Sequence, residues 1–245
     1  MQKFTLFLLA LLVLAGCDNF SSGDADFGTT DGVGGSTARF AISGNYLYTV
    51  DDQTLRLFNI QDPNNPLFEK VVPIGTNIET IFPKGNQLFI GSSVGMHIYD
   101  ISQPADPRWL STYEHVFSCD PVVADERYAY VTLSSDRTMC GWGLNQLDII
   151  DIENPAMPTL VQSYDMTAPK GLGVTDSLLF VCDDGLKVFG KKDVTRLHQL
   201  QHFRIEAHDL IPLDGTLMVI GSDALYQYRY EGDSLQLLSK LDIAI

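Results

Sequence analysis

The sequence predicts an all-β fold, a β-propeller of about five four-stranded antiparallel blades, on three observations. An apolar run preceded by a turn dipeptide recurs at offsets of 41, 41, 50 and 38 residues. The copies are Gly44-Asn45 before YLYTV, Gly85-Asn86 before QLFIG, Glu126-Arg127 before YAYVT, Asp176-Ser177 before LLFVC and Asp214-Gly215 before TLMVI. Each repeat divides into four short runs of aromatic and aliphatic side chains separated by turn residues, the pattern of strands. No segment sustains a helical period. Four-stranded units at a spacing of about 40 residues are propeller blades.

Taken in order, the chain opens with a targeting segment, residues 1–16. Met1-Gln2-Lys3 is a short positive leader, and Phe4 to Ala15 (FTLFLLALLVLA) is apolar except for Thr5. At about 1.5 Å per helical residue this run spans about 18 Å, short of the ~30 Å hydrocarbon core. It therefore reads as a signal-peptide core and not as a spanning helix. The run ends in Leu14-Ala15-Gly16-Cys17, which resembles the bacterial lipobox. The resemblance implies cleavage before Cys17 and attachment of diacylglycerol to its thiol, so the membrane is a partner through that lipid. Residues 17–38 are rich in Gly, Ser, Thr and Asp and read as a flexible tether.

The propeller is expected over residues 39–245, with repeats near 39–79, 80–120, 121–170, 171–208 and 209–245. In the first repeat the four strands, a to d, are Arg39–Ser43, Tyr46–Val50, Leu55–Ile60 and Leu67–Ile74. Strand b is apolar nearly throughout, as in a strand covered on both faces. The proline pairs after strand c (Pro63 and Pro66, Pro104 and Pro107, Pro155 and Pro158) cannot lie in a central strand and mark a fixed c–d turn. The last two repeats, LKVFGKKDVT and LYQYRYEGDS, keep the strand but change the turn. The surplus of the third repeat is an insertion between Ser134 and Gln146. Each repeat supplies its own four strands, with no strand exchange to latch the ring. An open or six-unit arrangement drawing on the tether therefore stands beside the five-blade ring.

The strings LRLFNIQDPNNP (Leu55–Pro66), MHIYDISQPADP (Met96–Pro107) and LDIIDIENPAMP (Leu147–Pro158) resemble the LVIVD repeat family. The resemblance covers Arg39 to about Pro169, and the last two repeats follow it only in strand pattern. It implies a propeller on a bacterial or archaeal surface protein. With the lipobox, it implies a place in the bacterial cell envelope, at the outer membrane or cell surface in preference to the inner membrane. It implies no reaction, because the family has no defined catalytic motif to carry over.

Function must then come from the loops. The a–b and c–d turns share one rim and are repetitive; the b–c and d–a loops share the other rim and vary, which is where binding residues gather on a rigid scaffold. Cys119 enters the third blade in a d–a loop and Cys140 lies in its b–c insertion. In an exported chain this predicts a Cys119–Cys140 disulfide, worth roughly 3 kcal/mol for a loop of about 22 residues. Arg137 and Trp142 in the same insertion are residue types favoured at binding hot spots. Packing of Trp142 within its own loop is the competing reading.

His208 and Asp209 fall in a d–a loop of the same rim and are candidate site residues, against a plain polar loop. His198 and His202 lie in strand d on one face, roughly 13 Å apart, too far for one metal ion. His97 and His115 read as surface residues, and Cys182 as a small buried thiol. Asp51-Asp52, Asp183-Asp184 and Asp223 are explained by turn formation without a metal. With 31 acidic against 16 basic residues the net charge is −15, which disfavours nucleic acid and a polybasic lipid contact. There is no GxSxG, P-loop, HExxH, CxxC or dinucleotide fingerprint, and no cofactor is implied. The leading expectation is a binding or scaffold module with an envelope protein or carbohydrate as partner. A propeller hydrolase or lyase using His208, Asp209 and acids of the same rim is the alternative, and a passive spacer in an envelope complex is the second.

Overall fold

The structure, a computed structural model, describes residues 34–115, 121–135 and 144–243. Cys17, Cys119, Arg137, Cys140 and Trp142 lie outside the described residues, and so does the predicted disulfide. Among the described residues, twenty strands form five four-stranded sheets, each from four consecutive strands paired in chain order. The first sheet holds β1 (Phe40–Ser43), β2 (Tyr46–Val50), β3 (Thr54–Asn59) and β4 (Leu67–Pro73); the second holds β5 (Ile78–Lys84), β6 (Gln87–Ser92), β7 (Gly95–Asp100) and β8 (Arg108–Glu114). The third holds β9 (Val122–Ala124), β10 (Tyr128–Leu133), β11 (Gln146–Asp151) and β12 (Thr159–Asp165); the fourth holds β13 (Leu172–Val174), β14 (Leu178–Cys182), β15 (Leu186–Gly190) and β16 (His198–Phe203). The fifth holds β17 (Ala207–Leu213), β18 (Thr216–Gly221), β19 (Ala224–Glu231) and β20 (Ser234–Asp242). Every pairing is antiparallel, and the architecture is that of a β-propeller.

The repeated string now has a physical account. The residue ending strand c closes an Asx turn: Asn59, Asp100 and Asp151 each accept, through Oδ1, the backbone N–H two residues on, at 3.0, 2.7 and 2.9 Å. The next backbone N–H ties the c–d turn to the a–b turn in the same way in three sheets, Ile60 to Asn45, Ile101 to Asn86 and Ile152 to Arg127, each at 2.8 Å. The turn is then held by the preceding sheet. Tyr48 Oη donates to the Pro104 carbonyl (2.9 Å), Ser111 Oγ to the Pro155 carbonyl (2.6 Å) and Tyr164 Oη to the Val194 carbonyl (2.7 Å). Proline makes such a carbonyl available by fixing φ and contributing no competing N–H.

A bulge interrupts the c–d pairing at the same place in all five sheets, at Leu57/Phe58, Ile98/Tyr99, Ile149/Ile150, Val188/Phe189 and Gln227/Tyr228. It corrects one expectation. His198 pairs with Gly190 and His202 with Lys187, so the extra residue at the bulge turns the two histidines to opposite faces of the sheet.

Packing is by seams between neighbouring sheets. Apolar clusters fill four of them: first to second around Tyr48, Leu57 and Ile81, second to third around Phe89, Ile98 and Val131, third to fourth around Tyr130, Ile149 and Val181, and fourth to fifth around Phe180, Val188 and Leu217. Among the described residues no such cluster joins the fifth sheet to the first. The tether enters at that place instead. Gly34 to Ala38, expected to be part of a flexible tether, are packed: Ser36 is fully buried, accepts the Leu172 N–H at 2.8 Å and donates to Asp209 Oδ1 at 2.9 Å. The end of the tether is an axial strap and not a sixth unit, because its small polar side chains satisfy inner-strand groups that face the axis.

Candidate functional site

The candidate residues of the b–c/d–a rim are placed by the fourth and fifth sheets. Glu206 to Asp209, expected as a d–a loop, is largely strand: β17 begins at Ala207, and its register against β18 slips between Ala207 and Asp209, leaving His208 as the extra residue. The slip sends the two candidate side chains apart. Asp209 faces the axis, where its carboxylate accepts hydrogen bonds from Ser36 Oγ, Thr37 N and Thr37 Oγ1. The backbones of Gly35 and Gly171 press against it, and a Cβ on Gly171 would collide with Asp209 Oδ1. His208 Nδ1 lies 3.2 Å from Lys170 Nζ. The ammonium can only donate, so the contact places a donor against the imidazole. A His–Asp dyad does not form, because Asp209 is engaged with the strap.

Beside these residues a cleft of about 380 Å³ opens between the fourth and fifth sheets. Lys170, Asp184, Arg204, Glu206, Asp223 and Tyr226 line it, with Cys182 in its wall. Each group is placed by its element. Lys170 stands in the d–a loop before β13, held by its N–H to the Cys182 carbonyl at 2.8 Å. Arg204 follows β16 and pairs with Asp184 at 3.4 Å, while His202 Nε2 lies 2.6 Å from the Asp184 carbonyl oxygen. Asp223, in the b–c turn of the fifth sheet, accepts from Tyr226 Oη at 2.8 Å and pairs with Lys240 at 3.2 Å. The Tyr226 hydroxyl and then Lys240 hold the Asp223 carboxyl below its ordinary value. Burial pushes the Cys182 thiol well up, with the Asp209 charge adding to it. A thiol kept protonated is a wall of the cleft and not a nucleophile.

The paired acids of the b–c turns are scaffold. Asp183, with its side chain fully buried, accepts the N–H groups of Thr167 (3.0 Å) and Ala168 (2.7 Å) and the Lys187 ammonium (2.6 Å), pinning the loop that arrives from the third sheet. Asp51 closes its own turn through the N–H groups of Gln53 and Thr54, which bring its pKa down to about 2. Among the described residues no group of three or more His, Cys, Asp or Glu side chains is gathered as a metal site. A second, wider groove of about 620 Å³ lies along β8 and is lined by Trp109, a residue 60% exposed whose Nε1 donates to Thr112 Oγ1 at 3.2 Å.

The sequence does not disclose that Lys170, Arg204, Glu206 and Tyr226 line one cleft. The d–a positions of Lys170, Arg204 and Glu206 and the strand position of Tyr226 in β19 are readable, whereas their convergence depends on two sheets meeting. The cleft gathers two cations, three carboxylates and a phenol, so it suits a small polar ligand that offers both donors and acceptors.

Comparison with known families matches the LVIVD repeat to residues 34–71, 79–115 and 118–166, and a prokaryotic membrane lipoprotein lipid attachment site to residues 1–17. No curated protein matches the chain. Among solved structures, a functionally unknown protein from Desulfotomaculum acetoxidans is similar with a TM-score of 0.68 at 12% identity, covering 83% of this chain and 69% of that one. A putative 6-phosphogluconolactonase from Bacteroides fragilis has a TM-score of 0.65 at 10% identity, with 83% and 69% covered. The periplasmic gluconolactonase of Pseudomonas aeruginosa has a TM-score of 0.60 at 16% identity, with 81% and 67% covered. At such identities the likeness is one of fold.

Proposed function

The chain belongs to the LVIVD repeat family, and from that premise we propose that it is a lipid-anchored binding module of the bacterial envelope whose ligand face is the b–c/d–a rim. The attachment site at residues 1–17 indicates membrane anchoring. The observation that carries the binding role is the cleft between the fourth and fifth sheets, where Lys170, the Arg204–Glu206 loop and Asp223 converge from three separate segments. A binder needs polar groups that fix orientation, whereas a hydrolase needs a base poised against a nucleophile or water. Here His208 faces an ammonium and Cys182 is held protonated, which favours binding.

Photo-crosslinking in native envelopes tests this. A photoreactive side chain at Glu206 is expected to capture a partner that one at Asn64, in a c–d turn of the opposite rim, does not. Equal capture from both positions would defeat the reading. The names of the lactonase neighbours supply the enzymatic alternative: turnover of a gluconolactone, lost on His208→Ala, would replace binding by catalysis.

Two finer readings belong to the same proposal. An outer-membrane or cell-surface location is tested by protease accessibility on intact cells. The Cys119–Cys140 disulfide stays part of the proposal because its two segments adjoin the same end of the third sheet, before β9 and after β10. Mass spectrometry of non-reduced peptides is expected to show the linked pair. Cys182, the free cysteine among the described residues, takes no part.

A further inference from the structure

The path of the strap gives the chain a direction along the propeller axis. Arg39, just before β1, is at the b–c/d–a rim, because its carbonyl accepts the N–H of Val50 at the end of β2. Going back toward the N-terminus, Thr37 and Ser36 contact Asp209, and Ser36 also meets Leu172, near the starts of β17 and β13. Gly34 then borders an axial cavity of about 180 Å³ whose other walls include Pro83, Lys84, Val174 and Pro212. Those residues belong to the opposite, a–b ends of their strands: Lys84 pairs with Gln87, Val174 with Leu179 and Pro212 with Leu217. The chain thus comes to β1 from the a–b side of the axis.

We infer that the a–b/c–d rim faces the membrane and that the b–c/d–a rim, with its cleft, faces away from it. The inference rests on lipidation at Cys17. Residues 18–33, sixteen in number, reach at most about 55 Å even when fully extended. From the a–b mouth this length runs directly to a bilayer. For the other rim to face the lipid, the same residues would have to leave the axis, round the outer strands and climb the ~20 Å height of a six-residue strand. The net charge of −15 offers no attraction to anionic headgroups that would turn the propeller over. The repetitive proline turns are then the membrane-proximal surface, and the variable loops are presented to partners.

Energy transfer on the full-length lipidated protein tests the orientation. A donor dye is clicked to an azide side chain introduced at Asn86, in an a–b turn, or at Asp52, in a b–c turn, both exposed. The protein is reconstituted in phosphatidylethanolamine–phosphatidylglycerol vesicles carrying a rhodamine lipid as acceptor. Transfer from position 86 is expected to exceed that from position 52 by about twofold, given rims ~20 Å apart. Equal or reversed efficiencies, with the protein floating with the vesicles, overturn the orientation and leave the anchor intact. Failure to float, with Cys17→Ser behaving like the parent, overturns the anchor and the orientation with it.

Discussion

The second strands of the second, third and fourth sheets are buried on both faces, whereas those of the first and fifth are buried on one. Residues 88–92 of β6, 129–133 of β10 and 178–182 of β14 are all buried, but in β2 only Tyr48 and Val50 are, and in β18 Leu217, Val219 and Gly221 alternate with exposed or half-exposed neighbours. Large apolar side chains nonetheless stand on the uncovered faces: Phe40 is 60% exposed, Ile42 38% and Ile220 39%. A repeat sequence thus writes the same strand chemistry into every copy, while the neighbours of each copy decide what that chemistry does.

The largest expected effect comes from breaking a filled seam. Phe180, fully buried between the fourth and fifth sheets, should lose about 3–5 kcal/mol on Phe180→Ala by urea unfolding, the cost of a large core truncation. Phe40→Ala on the open face should stay within about 0.5 kcal/mol, as surface changes do. Comparable losses at the two positions would mean that the outer face of the first sheet is covered in solution, and the contrast would fall.

Next come Asp183 and Asp51, which occupy the same b–c position in the fourth and first sheets. Asp183 has a preceding sheet and reaches into its loop at Thr167 and Ala168; Asp51 has none and folds back on Gln53 and Thr54. Asp183→Ala strands the Lys187 ammonium and two backbone donors, and should cost about 2–4 kcal/mol. Tyr164→Phe is smaller, about 1–2 kcal/mol, because it removes both a donor to the Val194 carbonyl and an acceptor for the Leu197 N–H. An unchanged midpoint for Tyr164→Phe would show that the seam is held by apolar packing alone.

These pairs also show what a sequence can disclose. The Asx turn of Asp151 and the proline turn after it are local, so their repetition marks strand c and its rim directly. The strap is not local: Ser36 and Thr37 sit in a Gly/Ser/Thr-rich stretch whose composition reads as tether, and their partner Asp209 is more than 170 residues away. His208 and Asp209 both lie at the start of β17, but the register slip at Ala207 sends them to different surroundings. His198 and His202 were separated by a bulge for the same reason. A single inserted residue reverses side-chain direction without leaving a signature in composition or period.

The smallest effect is the acid response of the exposed turn. The backbone N–H groups of Gln53 and Thr54 stabilise the Asp51 carboxylate and bring its pKa to about 2 in the folded protein, against about 3.9 in an unfolded chain. A depressed folded pKa gives stability that is fully present above the unfolded value and is lost as pH falls through the folded one. The Asp100 and Asp193 carboxyls are likewise lowered by the turns they close, at Ser102 and Thr195. The thermal midpoint should therefore respond to these groups only between about pH 4 and pH 2, falling as acid protonates them. Asp51→Asn should make that fall slightly shallower and leave the midpoint at pH 7 a little lower. Asp51 serves its own turn and no neighbouring sheet, so its removal should not alter unfolding cooperativity, whereas Asp183→Asn, which frees a loop between two sheets, should broaden the transition. If Asp51→Asn also broadened it, the first sheet would be coupled to a neighbour on its outer face.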